Sequence, residues 1–344
     1  MRVGELFAGI GGASLAVGMV YPDAETMWQA DLVNETVRRR HFPGAAQIVG
    51  DVREVDPVRL PAVDLLTAGF PCQDLSVAGK QAGLDGERSG LYSEVLRFTA
   101  AQRPERVLIE NVPALLHYLP RLSADFRALG YGLTWTVCEA ADAGLPHLRR
   151  RVFVLAELDR SGRGAVEVDC LPSAVSRCWP TPRADEARTS GGRTGREGVG
   201  ESLTYAARTR ASPRASDAKD VKQNGEGSPA LNYEARQRPQ LGKRLSPVWV
   251  EALMGYPLGW TAPKGAALHA ADIPPPVRGR YPVGWDRSEP WPGFDWEPAR
   301  TLPDGVKSPG RAARIRGLGN AWSPPQAALA IRALWGQPDQ LQLF

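Results

Sequence analysis

Short apolar runs and amphipathic stretches take turns over roughly the first 160 residues. Val3–Phe7, Glu25–Asp31, Ala45–Gly50, Val63–Phe70, Arg106–Asn111, Leu133–Ala140 and Arg151–Glu157 have the length and residue types of strands. Between them, Asn34–Arg40, Leu91–Gln102 and Arg121–Leu129 have helical spacing, with Asn34 placed to cap the first. Strand and helix in alternation predict an α/β domain around a mostly parallel sheet. The pattern lapses after Leu158. From Ser161 to Gln240 the chain is rich in Gly, Pro, Ser, Thr and Arg and poor in apolar runs, as a linker would be. Two features there argue for structure instead. Trp179-Pro180-Thr181-Pro182 is a rigid aromatic element, and a degenerate repeat pairs Thr181–Ala184 with Ser212–Ala215 and Leu203–Arg208 with Leu231–Arg236. Such a repeat predicts two similar small elements in tandem. Apolar periodicity returns at Trp249–Met254, fades through the Pro/Trp-rich stretch Pro263–Pro298, and closes with a helical pattern over Ala321–Trp335.

Composition narrows the class. The chain has 344 residues, 43% hydrophobic and 23% charged, enough for one large or two modest globular domains. It has no run of about 18 apolar residues, so no membrane partner is expected. The start, Met1 to Phe7, lacks the zones of a signal peptide. Cys72, Cys138, Cys170 and Cys178 fit neither a zinc site nor a disulfide framework, which predicts a reducing cytoplasm and no metal. Net charge is only +4, but between Arg177 and Arg244 there are 14 Lys/Arg against 8 Asp/Glu. A second basic patch holds Lys307, Arg311, Arg314 and Arg316. Both suit a polyanion, and both equally suit a solvated surface; charge alone does not choose.

The chemistry sits where strands end. Glu5-Leu6-Phe7-Ala8-Gly9-Ile10-Gly11-Gly12 follows the first strand and opens a helix, a turn whose glycines let a ligand approach the backbone. Taken alone it would serve a nicotinamide dehydrogenase equally well. Asp31 and Asp51 end the second and third strands, where a carboxylate can accept hydrogen bonds from ribose hydroxyls. Gly69-Phe70-Pro71-Cys72-Gln73-Asp74-Leu75-Ser76 follows the fourth strand, and the next strand ends in Glu110-Asn111-Val112. A helix-like pair, Arg149 and Arg151, precedes the last strand. Thiol, carboxyl and cation on one rim suit addition to an electron-poor ring. Thiolate addition at C6 of cytosine makes C5 enamine-like and able to attack a methyl sulfonium. A group that protonates or hydrogen-bonds N3 neutralises the developing charge, and Glu110 meets that demand if it can hold a proton. Nearby arginines favour the thiolate.

Taken in order, Phe-Ala-Gly-x-Gly-Gly, Pro-Cys-Gln and Glu-Asn-Val resemble the motif series of DNA (cytosine-5)-methyltransferases. His147-Leu148-Arg149-Arg150-Arg151 resembles the family's Gln-x-Arg-x-Arg motif, with His147 in place of the usual Gln. Arg244-Leu245-Ser246-Pro247 through Met254-Gly255-Tyr256-Pro257 resembles the motif closing the target-recognition region, and Gly319-Asn320-Ala321 with Pro324-Pro325 the C-terminal motif. The similarity spans residues 3–158 and 241–335. It implies a Rossmann-like methyltransferase sheet with a smaller, irregular target-recognition domain. The expected domains are 1–158 for S-adenosylmethionine binding and catalysis, 159–316 for target recognition with an insert, and 317–344 returning to the catalytic domain. Phe7 would pack on the adenine ring, Gly9 and Gly11 would line the methionine moiety, Asp31 would bind ribose hydroxyls and Asp51 the adenine amino group. Leu91 and Asn320 would complete the cofactor pocket. Cys72 would attack C6, Glu110 would engage N3 and the exocyclic amine, and Arg149 and Arg151 would hold the base oxygen and nearby phosphates. The base must leave the duplex for this, at a cost of a few kcal/mol.

The resulting expectation is a monomeric cytoplasmic enzyme that methylates C5 of a flipped-out cytosine in a specific double-stranded DNA sequence, beside a cognate restriction endonuclease as functional rather than physical partner. Three other readings are a tRNA cytosine methyltransferase, a catalytically dead DNA-binding paralogue and a dehydrogenase. Intact Cys72, Glu110 and Arg149 speak against a dead copy, and the Pro-Cys-Gln and Glu-Asn-Val segments against a dehydrogenase.

Overall fold

The computed structural model describes residues 1–71, 91–143, 145, 149–158, 244–263, 301–302 and 308–336. Cys72, His147, the 181–236 repeat and nearly all of the 177–244 and 263–298 stretches lie outside the described residues. Two compact units are formed. The described part of the first is 1–71, 91–139, 150–158 and 320–336; that of the second is 140–143, 145, 149, 244–263, 301–302 and 308–319.

The first unit is a seven-stranded sheet built from β1 (Arg2–Leu6), β2 (Glu25–Asp31), β3 (Ala46–Val49), β4 (Leu65–Ala68), β5 (Arg106–Asn111), β6 (Tyr131–Glu139) and β7 (Arg150–Leu158), in the order β3-β2-β1-β4-β5-β7-β6. β1 to β5 pair in parallel, while β7 runs antiparallel between β5 and β6. Strands in the middle of such a sheet are covered on both faces, so they read as unbroken apolar runs rather than alternations. β4 is buried throughout, and β5 along all but its first residue. Successive side chains go to opposite sides: Leu66, Ile109 and Val154 join Trp28 and Phe98 on one face, while Leu65, Leu108 and Phe153 join α1 (Gly12–Val20) and α7 (Pro324–Leu334) on the other. Ala13, Ala16 and Val17 of α1 share that second cluster with Ala327, Ala330 and Ile331 of α7. The far C-terminal helix thus completes a layer begun by the first twenty residues.

The remaining helices of this unit are α2 (Glu35–His41), α3 (Tyr92–Gln102) and α4 (Leu119–Ala128). α4 starts two residues before the periodicity indicates, because Pro120 is tolerated in the first turn, where its missing N–H leaves no bond unmade. The closing helix begins at Pro324 rather than Ala321, with Ser323 at its N-cap and prolines in its first turn. Asn34 does stand at the N-terminus of α2, but its side chain makes no capping bond; the residue is left-handed, with φ 61°. Of the two sequence readings of Arg151, first residue of the last strand and member of a helix-like pair before it, the structure bears out the strand. Arg151 lies inside β7, paired across the sheet with Cys138 of β6.

In the second unit, the described residues form a two-stranded pairing of β8 (Arg244–Leu245) with β9 (Thr301–Leu302), and two helices, α5 (Pro247–Met254) and most of α6 (Arg311–Asn320). Ser246 caps α5 by accepting the Trp249 N–H at 3.4 Å. Glu251 of α5 is fully buried, accepts the N–H groups of Gly259 (2.6 Å) and Thr261 (2.9 Å), and meets the Arg314 guanidinium at 3.2 Å. Arg314 is therefore no part of a solvated basic patch: its guanidinium is only 9% exposed and already holds a carboxylate. No helix among the described residues is long and apolar enough to cross a membrane.

Candidate active site

β1 lies third in the sheet, with β2 and β3 to one side and β4, β5, β7 and β6 to the other. Where strand order reverses, the loops leaving adjacent strands part company, and a crevice opens beyond their carboxyl ends. The loops leaving β1 and β4 flank that point.

The β1 loop is Phe7–Gly11. Phe7 is left-handed at φ 56°, which costs a non-glycine residue roughly 1–2 kcal/mol and needs surrounding structure to hold it. Gly9 and Gly11 follow at φ 55° and 85°. A Cβ at Gly11 would stand 2.5 Å from the Phe42 ring, whereas one at Gly9 would meet nothing within 4 Å. The turn is closed behind Gly11 and open above Gly9. Two side chains hold Gly9: Asp31 Oδ2 accepts its N–H at 2.8 Å, and Arg38 Nη1 donates to its carbonyl at 2.9 Å.

Arg38 is fully buried and also donates to the Val33 carbonyl and, through Nε, to Gln47 at 2.8 Å. It links the loops that leave β1 and β2. Asp31 uses its other oxygen to accept the Val33 N–H at 2.9 Å. Beyond these strands, Leu32, Val33 and Val49 are large apolar side chains left more than half or half exposed. Asp51 caps the short helical turn Val52–Glu54 and pairs with Arg53 at 2.5 Å, which lowers its carboxyl to about 2.

Beneath the turn lies Glu5, which is 2% exposed. Its carboxylate accepts from the Ala13 N–H (3.1 Å), the Ser14 N–H (3.4 Å), the Ser14 hydroxyl (2.5 Å) and Gln29 Nε2 (2.8 Å). Burial pushes this carboxyl above the ordinary glutamate range, and those donors, with Arg38 nearby, pull it back.

The β4 loop is described as far as Pro71. Gly69 is there because of a close approach: a Cβ would lie 2.4 Å from Trp322 Nε1. Phe70 is buried against the Tyr92 ring, with centroids 5.7 Å apart, and its carbonyl accepts from Asn111 Nδ2 at 3.1 Å. The residue two before Cys72 is thus bonded to the residue one after Glu110. Glu110 is 8% exposed and its Oε1 meets Arg151 Nε at 2.9 Å. This arrangement follows from the strand register: Glu110 lies opposite Phe153 and Asn111 opposite Val152, which places Arg151 one step beyond the end of β5.

Of the other residues singled out in the sequence, Leu91 is half-buried against the core at the start of α3, and Asn320 is the exposed last residue of α6. Arg149 is 4% exposed and donates from Nη1 to the Gly319 carbonyl at 3.2 Å, joining two segments 170 positions apart. Glu5, Arg38 and Gln29 drew no attention in the sequence. Glu5 stands inside the glycine motif, but its burial could not be read there, and Arg38 looks like any member of the run Arg38-Arg39-Arg40-His41.

Residues 1–167 match the family model described as C-5 cytosine-specific DNA methylase. Residues 1–167 are thus similar to that family. The chain is 38% identical across 192 residues to the type II methyltransferase M2.BsuMI of Bacillus subtilis, covering 51% of this chain and 49% of that protein. It is 34% identical across 164 residues to M.NgoFVII of Neisseria gonorrhoeae, covering 45% and 43%. The chain therefore spans about half the length of these curated relatives. A longer match, over 75% of the chain and 77% of the relative, is 25% identical to M.DsaV of Dactylococcopsis salina. Among solved structures, a DNMT2 of Spodoptera frugiperda has a TM-score of 0.56 at 14% identity, covering 97% of this chain and 99% of that one. The Dnmt2 methyltransferase of S. pombe has the same TM-score at 15% identity, covering 99% and 100%. The fold is the Rossmann-like methyltransferase sheet.

Proposed function

We propose that this chain is a DNA (cytosine-5)-methyltransferase that moves a methyl group from S-adenosylmethionine to a flipped-out cytosine, with Cys72 as nucleophile. One observation carries the reading: in a methylase-family domain, Glu110 is held by Arg151 at the rim where Asn111 anchors the backbone leading to Cys72.

The Cys72 thiolate would add across the C5=C6 bond and make C5 nucleophilic toward the methyl donor; once C5 is methylated, loss of its proton would expel the Cys72 sulfur from C6 and restore the double bond. Glu110 takes up N3 and the exocyclic amine, and Arg151 fixes the Glu110 carboxyl so that it stays aimed at the ring. Arg151 then acts on the base through Glu110 rather than through the base oxygen. Arg149, which donates to the Gly319 carbonyl, would hold the base oxygen or a nearby phosphate, as its place in the arginine motif implies.

S-Adenosylmethionine supplies an electrophilic methyl sulfonium. The chain fits it: the turn is open above Gly9, Asp31 and Asp51 stand at strand ends, and Leu32, Val33 and Val49 offer exposed apolar surface for an adenine. Phe7, Gly9, Gly11, Asp31, Asp51, Leu91 and Asn320 are the cofactor residues of this reading. Residues 1–158 would bind cofactor and catalyse, 159–316 would read double-stranded DNA, and 317–344 would return to the catalytic domain. The enzyme would work as a cytoplasmic monomer, paired in function with a restriction endonuclease.

Purified protein should transfer a labelled methyl group to duplex DNA and form a covalent adduct with 5-fluorocytosine DNA. Cys72→Ser should abolish both. Undiminished activity in that variant, or transfer to tRNA but not to DNA, would refute the proposal.

A further inference from the structure

In sheets of this topology the first helix points its N-terminus at the ligand crevice. Unpaired first-turn N–H groups and the positive end of the helix dipole there make a ready anion site. A pyrophosphate-bearing cofactor uses such a site. Here the place is already taken from within the protein: Glu5 rises from β1 and accepts the N–H groups of Ala13 and Ser14, the second and third residues of α1, together with the Ser14 hydroxyl.

The orientation of every partner indicates an ionised carboxylate. Gln29 Nε2 donates both to Glu5 and, at 3.1 Å, to the Ser14 oxygen, so the Ser14 proton is directed at Glu5. Gln29 is itself fixed through its oxygen, which accepts from Gln47 at 2.9 Å. A full negative charge therefore sits at the positive end of α1, one turn below Gly9, in a buried setting where water screens it poorly.

We infer that Glu5 is a specificity-determining residue, which selects a phosphate-free cationic adenosyl ligand over phosphate-bearing adenine nucleotides by filling the helix N-terminus with the protein's own carboxylate. The inference rests on the reading of the chain as a user of S-adenosylmethionine. Glu5 touches no ligand in this account. It acts by denying a phosphate its donors and by adding a repulsive charge, and the same charge attracts a sulfonium.

The test is calorimetric binding of S-adenosylmethionine, S-adenosylhomocysteine, ADP and NAD⁺ to the whole chain and its variants. The wild type should bind both adenosyl ligands and hold ADP at least about a hundredfold more weakly than S-adenosylhomocysteine. Glu5→Gln, which removes the charge and turns a donor toward the Ala13 N–H, should narrow that gap about tenfold. Glu5→Asp should retain it, and Ser14→Ala, which leaves the charge in place, should leave it unchanged.

The ratio of two affinities separates this role from a structural one, because a merely loosened turn would weaken all four ligands together. An unchanged ratio in Glu5→Gln overturns the inference and leaves the proposed function standing. If Glu5→Gln does not fold, the wild type decides: ADP within about threefold of S-adenosylhomocysteine overturns the inference without any variant. Failure of the wild type to bind either adenosyl ligand removes the proposed function, and the inference with it.

Discussion

Arg151 and Arg314 look alike to a charge count, and each is matched to one carboxylate by the fold. Arg314 holds Glu251, a fully buried acid. Arg151 holds Glu110 with the two side chains 19% and 10% exposed, enough for a ligand to reach and little enough for solvent to screen weakly. That difference matters for the proposed reaction. Arg151→Ala should lower kcat by about a hundredfold through loss of Glu110 aim. The S-adenosylmethionine Kd should be nearly unchanged, since the cofactor residues lie on other strands. Arg151→Lys should recover only part of the rate, a point charge being a poorer guide for a carboxyl than a planar guanidinium. Steady-state kinetics beside cofactor titration checks this; a parallel loss of cofactor binding would count against the assignment.

At the scale of elements, the site depends on how closely the tryptophan before α7 approaches the loop after β4. Trp322 packs edge-on against Phe153, with centroids 5.7 Å apart, and presses its ring nitrogen to the backbone of Gly69. Gly69→Ala should destabilise the fold by about 1–3 kcal/mol, the usual cost of an overfilled core, and displace the loop that carries Cys72. Combining it with Trp322→Leu should return part of the lost methyl transfer by making room for the added methyl. Urea melts and activity of the single and double variants would test this coupling, and strictly additive losses would dispose of it. β4 and β5 were legible in the sequence because central strands are apolar on both faces. The trimmed ends of β3 and β4 were not, because the flanking apolar residues belong to loops that pack on the core without joining the ladder. The last strand was legible to within a residue at each end, Arg151–Glu157 against Arg150–Leu158, but its antiparallel place between β5 and β6 was not.

The whole molecule carries opposing pH dependences. Asp64, paired with Arg2, and Asp51, paired with Arg53, have carboxyls depressed in the folded state, Asp51 to about 2. Their stabilisation is present above the unfolded value of 3.8 and is lost as pH falls through the folded values. Glu5 is shifted the other way by burial, so its contribution is full below the unfolded value of 4.5 and is lost as pH rises through its higher folded value. The stability of wild type minus that of Glu5→Gln should therefore decline with rising pH above 4.5, read from urea midpoints across a pH series. A flat difference would mean that Glu5 does not titrate abnormally.

What the sequence determined by itself was local and ordinal. It set the alternation of strands and helices, the glycine turn after the first strand, and the order of Pro-Cys-Gln, Glu-Asn-Val and the arginine motif that led to the family. Those signals survive because periodicity and turn chemistry act between near neighbours. Tertiary structure alone decided which charges are buried and against what: Glu5 under α1, Arg38 on the Gly9 carbonyl, Arg151 on Glu110, Arg149 on Gly319 and Arg314 on Glu251. Burial of an ionised group is stable only when distant segments supply its partners, and one-dimensional spacing carries no record of that meeting.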